Sequence, residues 1–239
     1  NLIMGKFFPI LQPILTILFI FIACIVYGLS LFLSFVFFNY MAEQSELLNI
    51  NLRFLIYGIS LALSFFIFGI SLIILVGLIV RFLPIKTKPG MYKLNSIETI
   101  KWGICGAFLK LVNLTFLDFI TPTFLNILYF RLIGTKIGKN VQINSININD
   151  PWLLEIGDDT VIGGSASINC HTVESGKLKL EKVKIGNNCT IGAKSLIWPG
   201  CEIGDNSVLA ARSVMKKNTK IGSREIWKGD PAINIRVRK

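Results

Sequence analysis

Histidine is nearly absent from this chain, because the 239 residues contain only His171. A single imidazole excludes metal centres that need several histidine ligands. The five cysteines include no C-x-x-C pair, which disfavours a zinc site. Small buried thiols in a reducing compartment explain them better than disulfides do. We therefore expect no bound metal.

Charge is scarce in the first 80 residues, which contain two basic and two acidic side chains. No charge occurs from Pro13 to Phe38 or from Phe54 to Val80. Each run is longer than the roughly 20 residues that a helix needs to cross a bilayer, and longer than the apolar core of a signal peptide. The pattern predicts a two-helix transmembrane region at residues 1–83. The chain does not begin with Met, and we expect its natural N-terminus to lie upstream.

Basic residues predict the orientation of these helices. Arg81, Lys86, Lys88 and Lys93 follow the second apolar run, and Lys6 precedes the first. Lysine and arginine concentrate on the cytoplasmic side of membrane proteins. We therefore expect a multi-pass protein of the cell membrane, with both termini and the C-terminal domain in the cytoplasm.

Residues 84–131 join the predicted transmembrane region to the C-terminal domain. They are largely apolar, but charged residues and prolines interrupt them. LPIKTKPGMYKL predicts an extended, turn-rich segment, and Asp118 and Pro122 lie within the most apolar stretch that follows. We expect two short helices at the membrane interface. A third membrane span through 111–130 is the alternative, and it would place the C-terminal domain on the other side of the membrane.

The whole net charge of +11 arises after residue 80, where 23 basic residues face 12 acidic ones. A cytoplasmic surface beside anionic lipid accounts for this excess. Binding of phosphate groups accounts for it equally well. No nucleic-acid-binding motif is present, so we expect no nucleic-acid partner.

A six-residue period dominates residues 132–239. From Ile185 to Ile221 the chain reads IGNNCT, IGAKSL, IWPGCE, IGDNSV, LAARSV and MKKNTK without a slip. The first hexad position is aliphatic at 137, 143, 156, 162, 168, 185, 191, 197, 203, 209, 215 and 221, and the fifth is mostly small. Three hexads form one triangular coil, and coils stack through parallel strands about 4.8 Å apart. The pattern predicts a parallel β-helix with the aliphatic residues inside, rather than a β-sandwich.

Two interruptions break this period. The step from Ile143 to Ile156 spans 13 residues, one more than two hexads, and contains Asp150. The step from Ile168 to Ile185 spans 17 residues and contains HTVESGKLKLEKVK, which begins at His171. The second segment is polar and basic, which predicts a loop extruded from the coil. Loops on a rigid scaffold often carry function, and His171 is expected to point outward beside this one.

Three segments resemble the hexapeptide-repeat acyltransferases, which fold as left-handed β-helices, and in particular the maltose/galactoside O-acetyltransferases. They are VKIGNNCTIGAKSLIWPGCEIGDNSVLAARSVMKKNTKI, NDPWLLEIGDDTVIGGSASINCH and the closing WKGDPA. Residues 89–135 further resemble membrane-embedded acyltransferase-like domains at the C-terminus of some non-ribosomal peptide synthetase-like proteins. The single histidine separates the chain from the metal-dependent carbonic anhydrases with this repeat.

The resemblance implies a histidine general base. In that family a histidine takes the proton of an acceptor hydroxyl as it attacks an acyl thioester, and His171 is the only candidate. The resemblance matches Asp150 to the orienting acid, with Glu174 as another partner and Asn144 or Asn147 as the upstream asparagine. The alternatives are a surface histidine without a role and side chains that cap turns.

The same resemblance implies acetyl-CoA, or another acyl-CoA, as donor in a groove between the prisms of a homotrimer. Small residues expected along this groove are Ala193, Ser195, Ala210, Ala211 and Ser213. Basic residues expected to meet the phosphates are Lys216, Lys217, Lys228 and Arg236.

Together these features predict a transmembrane hairpin at 1–83, an interfacial helical linker at 84–131 and a left-handed β-helix at 132–239. They favour a membrane-anchored acyltransferase, most simply an acetyl-CoA-dependent O-acetyltransferase. The expected acceptor is a hydroxyl or amine of a lipid-linked or cell-surface glycan. Two alternatives stay open, a transferase supplied by an acyl or peptidyl carrier protein and a non-catalytic membrane scaffold.

Overall fold

The computed structural model describes the backbone of residues 2–237, with side chains from residue 13 onward except that of residue 15. The chain forms two compact units, residues 1–76 and 77–239. The second unit contains the linker helices and the whole hexad region.

The first unit is built from two long apolar helices. Helix α1 is Leu2–Gln44, and α2 is Ile50–Phe82, whose last residues belong to the second unit. Both contain a stretch long and apolar enough to cross a membrane. Ser34 Oγ donates to the carbonyl of Ser64 at 2.9 Å, and Ser64 Oγ donates to the carbonyl of Ser34 at 3.3 Å. Such hydroxyl bonds hold helices together where no water competes. The two predicted long apolar helices are thus confirmed.

The second unit begins with short elements that precede the hexad region. Strand β1 is Gly90–Lys93, α3 is Ile97–Val112 and α4 is Phe124–Ile133. A π-helical turn, Asn113–Leu117, extends α3, and Ile97–Leu117 is a third stretch long and apolar enough to cross a membrane. Residues 118–123 are not helical, so no continuous helix covers the alternative span at 111–130.

Ser96 and Thr123 explain where α3 and α4 begin. Ser96 Oγ accepts a hydrogen bond from the N–H of Thr99, and Thr123 Oγ1 accepts one from the N–H of Leu125. These hydroxyls satisfy N–H groups that have no partner within the helix. Helix α4 ends at Ile133, and Gly134, which follows it, adopts the left-handed conformation.

The hexad region forms a three-sided prism of short parallel strands. Strands β2 to β7 are Lys136–Ile137, Gln142–Ile143, Ile148–Asn149, Leu154–Ile156, Val161–Ile162 and Ser167–Asn169. A hairpin of β8, His171–Glu174, and β9, Lys177–Leu180, then leaves the prism. Strands β10 to β16 are Val183–Ile185, Thr190–Ile191, Leu196–Ile197, Glu202–Ile203, Val208–Leu209, Val214–Met215 and Lys220–Ile221. Strands β17, Glu225–Gly229, and β18, Ala232–Val237, pair antiparallel at the end.

Strand register confirms the predicted period. One face stacks β2, β5, β10, β13 and β16, the second β3, β6, β11, β14 and β17, and the third β4, β7, β12 and β15. The first hexad residue is buried at every predicted position except Ile137, which is half-buried in the first coil. The core is therefore a column of aliphatic side chains, one from each hexad.

The 13-residue interval from Ile143 to Ile156 contains one further core residue. Ile148 pairs with Ile168 and is buried, so the first coil is completed after a hexad of only five residues. The following corner is lengthened and contains a 3-10 turn, Pro151–Leu153. Asp150 precedes this turn with a φ of 56°, a left-handed conformation that Asp tolerates better than most residues.

The 17-residue interval leaves the prism as predicted, but it forms a β-hairpin where a loop was predicted. Strand β9 pairs antiparallel with β8 on one side and with β1 on the other. Leu178 and Leu180 are fully buried. The KLKL of β9 alternates with the period of a half-buried strand, so the signal was present in the sequence.

Candidate active site

His171 stands where the chain leaves the prism. Fourth hexad residues elsewhere, such as Asn188 and Asn206, have φ values of 52° and 61° and turn the chain onto the next face. At His171 the chain instead continues outward as β8. The side chain is 26% exposed, so the imidazole is both held by the fold and reachable from solvent.

Asp150 is the hydrogen-bond partner of this imidazole. Its Oδ2 lies 2.5 Å from His171 Nδ1, and its side chain is only 5% exposed. A carboxylate accepts but does not donate, so Nδ1 carries the proton in neutral His171. The second ring nitrogen, Nε2, then keeps its lone pair, as a general base requires.

Trp102 completes this arrangement from α3. Its Nε1–H donates to Asp150 Oδ1 at 2.6 Å, so each carboxylate oxygen has its own donor. Its ring also meets the ring of His171 edge-on, with centroids 4.9 Å apart and planes at 67°. No role was predicted for Trp102 from sequence. The one available signal was an indole N–H in an apolar helix, which needs a partner once it is enclosed.

Two hydrogen bonds anchor the turn that presents Asp150. Trp152, within that turn, donates its Nε1–H to the carbonyl of Thr87 at 2.9 Å. Thr87 in turn donates its hydroxyl to the carbonyl of Glu98 in α3 at 2.9 Å. The corner of the prism and the start of α3 are thereby tied to the same extended segment.

Cys170 adjoins the dyad of His171 and Asp150 without taking part in its chemistry. Its side chain is fully buried. Burial raises the pKa of this thiol well above its ordinary value, and the charge of Asp150 raises it further. The thiol is therefore neutral at physiological pH, and a neutral thiol is a poor nucleophile.

The other predicted catalytic residues divide into two groups. Asn147 is exposed and lines the same groove as His171. Asn144 is half-buried in the coil and does not line that groove. Glu174, at the far end of β8, forms an ion pair with Lys217 instead of contacting His171. The structure thus brings His171, Asp150 and Asn147 together.

A groove of about 520 Å³ runs from the dyad between α3 and the first coil. Its wall on the α3 side is formed by Trp102, Gly103, Gly106, Leu109, Lys110, Asn113 and Leu114. Its other wall is formed by residues 146–150, Ser167 and His171. The dyad therefore faces a space large enough for a small organic ligand.

The predicted donor residues lie on the C-terminal coils. Ala193 and Ala211 are exposed, and Ala210 is half-buried. Ser195 and Ser213 are 1% and 0% exposed, and their hydroxyls bond to backbone groups inside the prism. Small residues at the fifth hexad position point inward to close the corners. The side chains of these two serines are therefore not accessible to a ligand.

The predicted phosphate-binding cations differ in whether they already form an ion pair. Lys216, Lys228 and Arg236 are exposed, and within residues 13–237 no carboxylate forms an ion pair with them. Lys217 is already paired with Glu174. Lys216, which follows β15, Lys228, on β17, and Arg236, on β18, are therefore available to charged groups of a ligand.

Family comparison identifies the repeat. Residues 182–217 match the family model described as bacterial transferase hexapeptide (six repeats). The match covers the uninterrupted coils from β10 to β15, where each hexad contributes one buried aliphatic residue.

Two solved structures share their fold with about two thirds of this chain. A maltose O-acetyltransferase from Clostridium difficile 630 is 23% identical with a TM-score of 0.50, covering 63% of this chain and 94% of its own. A hexapeptide-repeat acetyltransferase from Vibrio cholerae O1 biovar eltor, complexed with acetyl-CoA, is 20% identical with a TM-score of 0.51. That alignment covers 64% of this chain and 96% of the other. The prism is therefore a left-handed β-helix.

One curated relative extends over more than the prism. The delta-poly-L-ornithine synthetase of Acinetobacter baumannii (strain AB307-0294) is 26% identical over 155 residues. The alignment covers 65% of this chain and 11% of the synthetase. The chain thus spans a small part of the length of that relative.

Proposed function

Because this chain carries the hexapeptide repeat of bacterial transferases, we propose that it is a membrane-anchored acyltransferase with His171 as its general base. The 2.5 Å contact between His171 Nδ1 and the buried Asp150 carboxylate carries this proposal. A base needs a partner that orients the ring and leaves the other nitrogen free, and Asp150 meets both needs.

The proposed acyl donor is acetyl-CoA or another acyl-CoA. The related Vibrio cholerae acetyltransferase is complexed with acetyl-CoA. In this chain the exposed Ala193 and Ala211 have small side chains, and Lys216, Lys228 and Arg236, which form no ion pair within residues 13–237, suit phosphates. A homotrimer would complete the donor groove between neighbouring prisms.

The proposed reaction passes one proton through a defined atom, Nε2 of His171. The acceptor hydroxyl or amine attacks the thioester carbonyl carbon while His171 Nε2 takes its proton. The new C–O or C–N bond forms, the C–S bond breaks, and the leaving thiolate receives the proton from His171. Asp150 stabilises the imidazolium between these steps, and a positioned base of this kind contributes roughly 10²- to 10⁴-fold in rate.

The proposed acceptor is a lipid-linked or cell-surface glycan, and the proposed location is the cytoplasmic side of the cell membrane. The apolar helices α1 and α2 and the basic residues that follow them support this placement. An anchored enzyme meets a lipid-borne acceptor at high effective concentration.

An acyl-donor screen on the purified full chain tests the proposal. Transfer from acetyl-CoA should be lost in His171→Ala. It should be unchanged in Val173→Ala, which alters an exposed residue on the same strand. Full transfer by His171→Ala would refute the base assignment, and thermal unfolding of both variants separates lost chemistry from lost folding.

A second candidate donor is a thioester on a carrier protein. It is favoured by the 155-residue similarity to delta-poly-L-ornithine synthetase, which covers linker as well as prism length. The two donors are distinguished by comparing transfer from acetyl-CoA with transfer from an acetylated phosphopantetheinyl carrier. Charge reversal at Lys228 should weaken the first reaction more than the second, because the free CoA nucleotide adds phosphates.

A further inference from the structure

We infer that the groove between α3 and the first coil is the acceptor site, and that its acceptor is an anionic amphiphile. The nucleophilic hydroxyl or amine lies at His171, an acidic group such as phosphate lies at Lys110, and an apolar chain leaves past Leu114. This inference rests on the proposed acyltransferase function and adds the substrate class and the residues that select it.

The groove begins at the dyad, and its lining combines apolar and polar side chains. Trp102 and His171 line it side by side, with ring centroids 4.9 Å apart, and the reacting atom would sit beside them. Ile146 and Leu109 provide apolar walls, and the exposed Asn147 provides a polar group near the dyad. Such a combination of apolar walls with a few placed polar groups is typical of small-molecule sites.

Two glycines keep this groove open. A Cβ atom at Gly103 or Gly106 would meet no other atom within 4 Å, so helix packing does not require glycine at either position. By contrast, a Cβ at Gly192 would collide with the backbone of Ala211 in the next coil. Glycine within a helix is less favourable than alanine. Both glycines line the groove. The space left by their missing side chains is therefore part of the same cavity that His171 and Asp150 line.

Lys110 is the basic residue of the groove apart from His171. Its side chain is exposed, and no carboxylate in residues 13–237 forms an ion pair with it. Asp150, the acidic residue of the groove, is already bound by Trp102 and His171. Lys110 follows Trp102 by eight residues in α3, which places it roughly 12 Å further along the helix axis. An acceptor whose acidic group lies at about that distance from its nucleophile can contact His171 and Lys110 at the same time.

Beyond Lys110 along the chain, the wall of the groove contains an exposed apolar residue. Leu114 lines the groove and is 74% exposed. The free side of α3 carries Ile97, Ile100 and Ile104, each between 43% and 57% exposed. A helix with a bare aliphatic side and flanking lysines is suited to a bilayer surface. A lipid tail that leaves the groove past Leu114 would enter the same apolar layer.

Three defined probes test this assignment by equilibrium binding to the full chain in nanodiscs. The first is a monosaccharide joined through phosphate to a C12 alkyl chain. The second is the neutral C12 glycoside of the same sugar, and the third is the sugar phosphate without a chain. The first should bind at least roughly 10-fold more tightly than either other probe, since a charged hydrogen bond and an apolar contact each contribute about that factor.

Variants of the groove assign the selectivity to residues. Lys110→Gln should remove the preference for the phosphate probe and leave the neutral glycoside unaffected. Gly106→Leu should weaken both lipid probes, whereas Gly106→Ala should fold at least as well as the parent and weaken them less. Lys101→Gln is the matched control, because Lys101 lies on α3 but outside the groove. Equal binding of all three probes, or unchanged selectivity in Lys110→Gln, would overturn the inference.

Donor chemistry is measured separately, so the two proposals fail in different ways. If the phosphate probe binds selectively but no thioester supports transfer, the acyltransferase proposal fails and the groove assignment stands. If thioester transfer proceeds equally to the phosphate probe and to the neutral glycoside, both in the parent and in Lys110→Gln, the enzyme stands and the groove assignment fails.

Discussion

Asp150→Asn is the sharpest perturbation of the dyad, because the substitution changes the charge and one hydrogen-bonding atom but hardly the shape. The indole of Trp102 only donates, so the oxygen of the introduced amide must turn towards Trp102 Nε1. The amide NH₂ then faces His171 Nδ1, which has to become an acceptor. The ring proton moves to Nε2, and the nitrogen that should take the acceptor's proton is already protonated.

The expected loss follows from what the base contributes. General-base catalysis is worth about 10²- to 10⁴-fold, so a loss of roughly 10³-fold is expected, which corresponds to about 4 kcal/mol in the barrier. The assay is the initial rate of acyl transfer at saturating donor, with thermal unfolding of the same preparation as the folding control.

A second substitution makes the argument refutable. In Trp102→Phe with Asp150→Asn, no indole competes for the amide oxygen, so the amide can turn and accept from His171 Nδ1–H. The double variant should therefore regain part of the activity that Asp150→Asn loses. Full activity in Asp150→Asn, or a double variant no better than the single one, would show that tautomer control is not the role of Asp150.

Three further predictions concern the prism and are measured by unfolding of the full chain in detergent. Ile191→Ala should lower the free energy of unfolding by about 2–5 kcal/mol, because the side chain is fully buried in the aliphatic column, and a loss below about 1 kcal/mol would contradict that placement. Gly192→Ala should destabilise by about 1–3 kcal/mol because its Cβ would collide with the next coil, whereas Gly164→Ala, with no atom closer than 3.9 Å, should be nearly neutral. The pKa of Glu155 is lowered, first by its hydrogen bond to Lys182, so its stabilising contribution is present above its unfolded pKa and is lost as pH falls through the lower folded pKa. Acid titration should show a smaller loss of stability over that range in Lys182→Gln, with an effect below about 1 kcal/mol because the pair is partly exposed.

The regular part of the fold could be predicted because its information is local. Each hexad carries its own aliphatic residue, and Ile185 stacks on Ile203 because both occupy the same position of an unbroken period. Predictions from the six-residue period were incomplete only at the two interruptions of the period. Ile148 escaped notice because its hexad is one residue short, and β9 was taken for a loop because its alternation covers only four residues.

The candidate site was half visible in the sequence. His171 and Asp150 could be named from the resemblance to acyltransferases, but the choice between Asp150 and Glu174 as partner of the imidazole could not be made. That choice depends on a corner with a left-handed residue, which aims Asp150 at the ring, and on Lys217, which pairs with Glu174.

The six-residue period by itself determined the prism, its aliphatic core and the two places where the coil is interrupted, since the pattern repeats within reach of neighbouring strands. Only the tertiary structure decided which polar groups meet. Asp150 and His171 are 21 residues apart, and Trp102 is 48 residues from Asp150. Contacts over such distances arise when α3 packs on the first coil, and no local spacing encodes which donor will face which oxygen. The lone histidine could be recognised from the sequence, whereas the tryptophan that holds its partner became visible only in the fold.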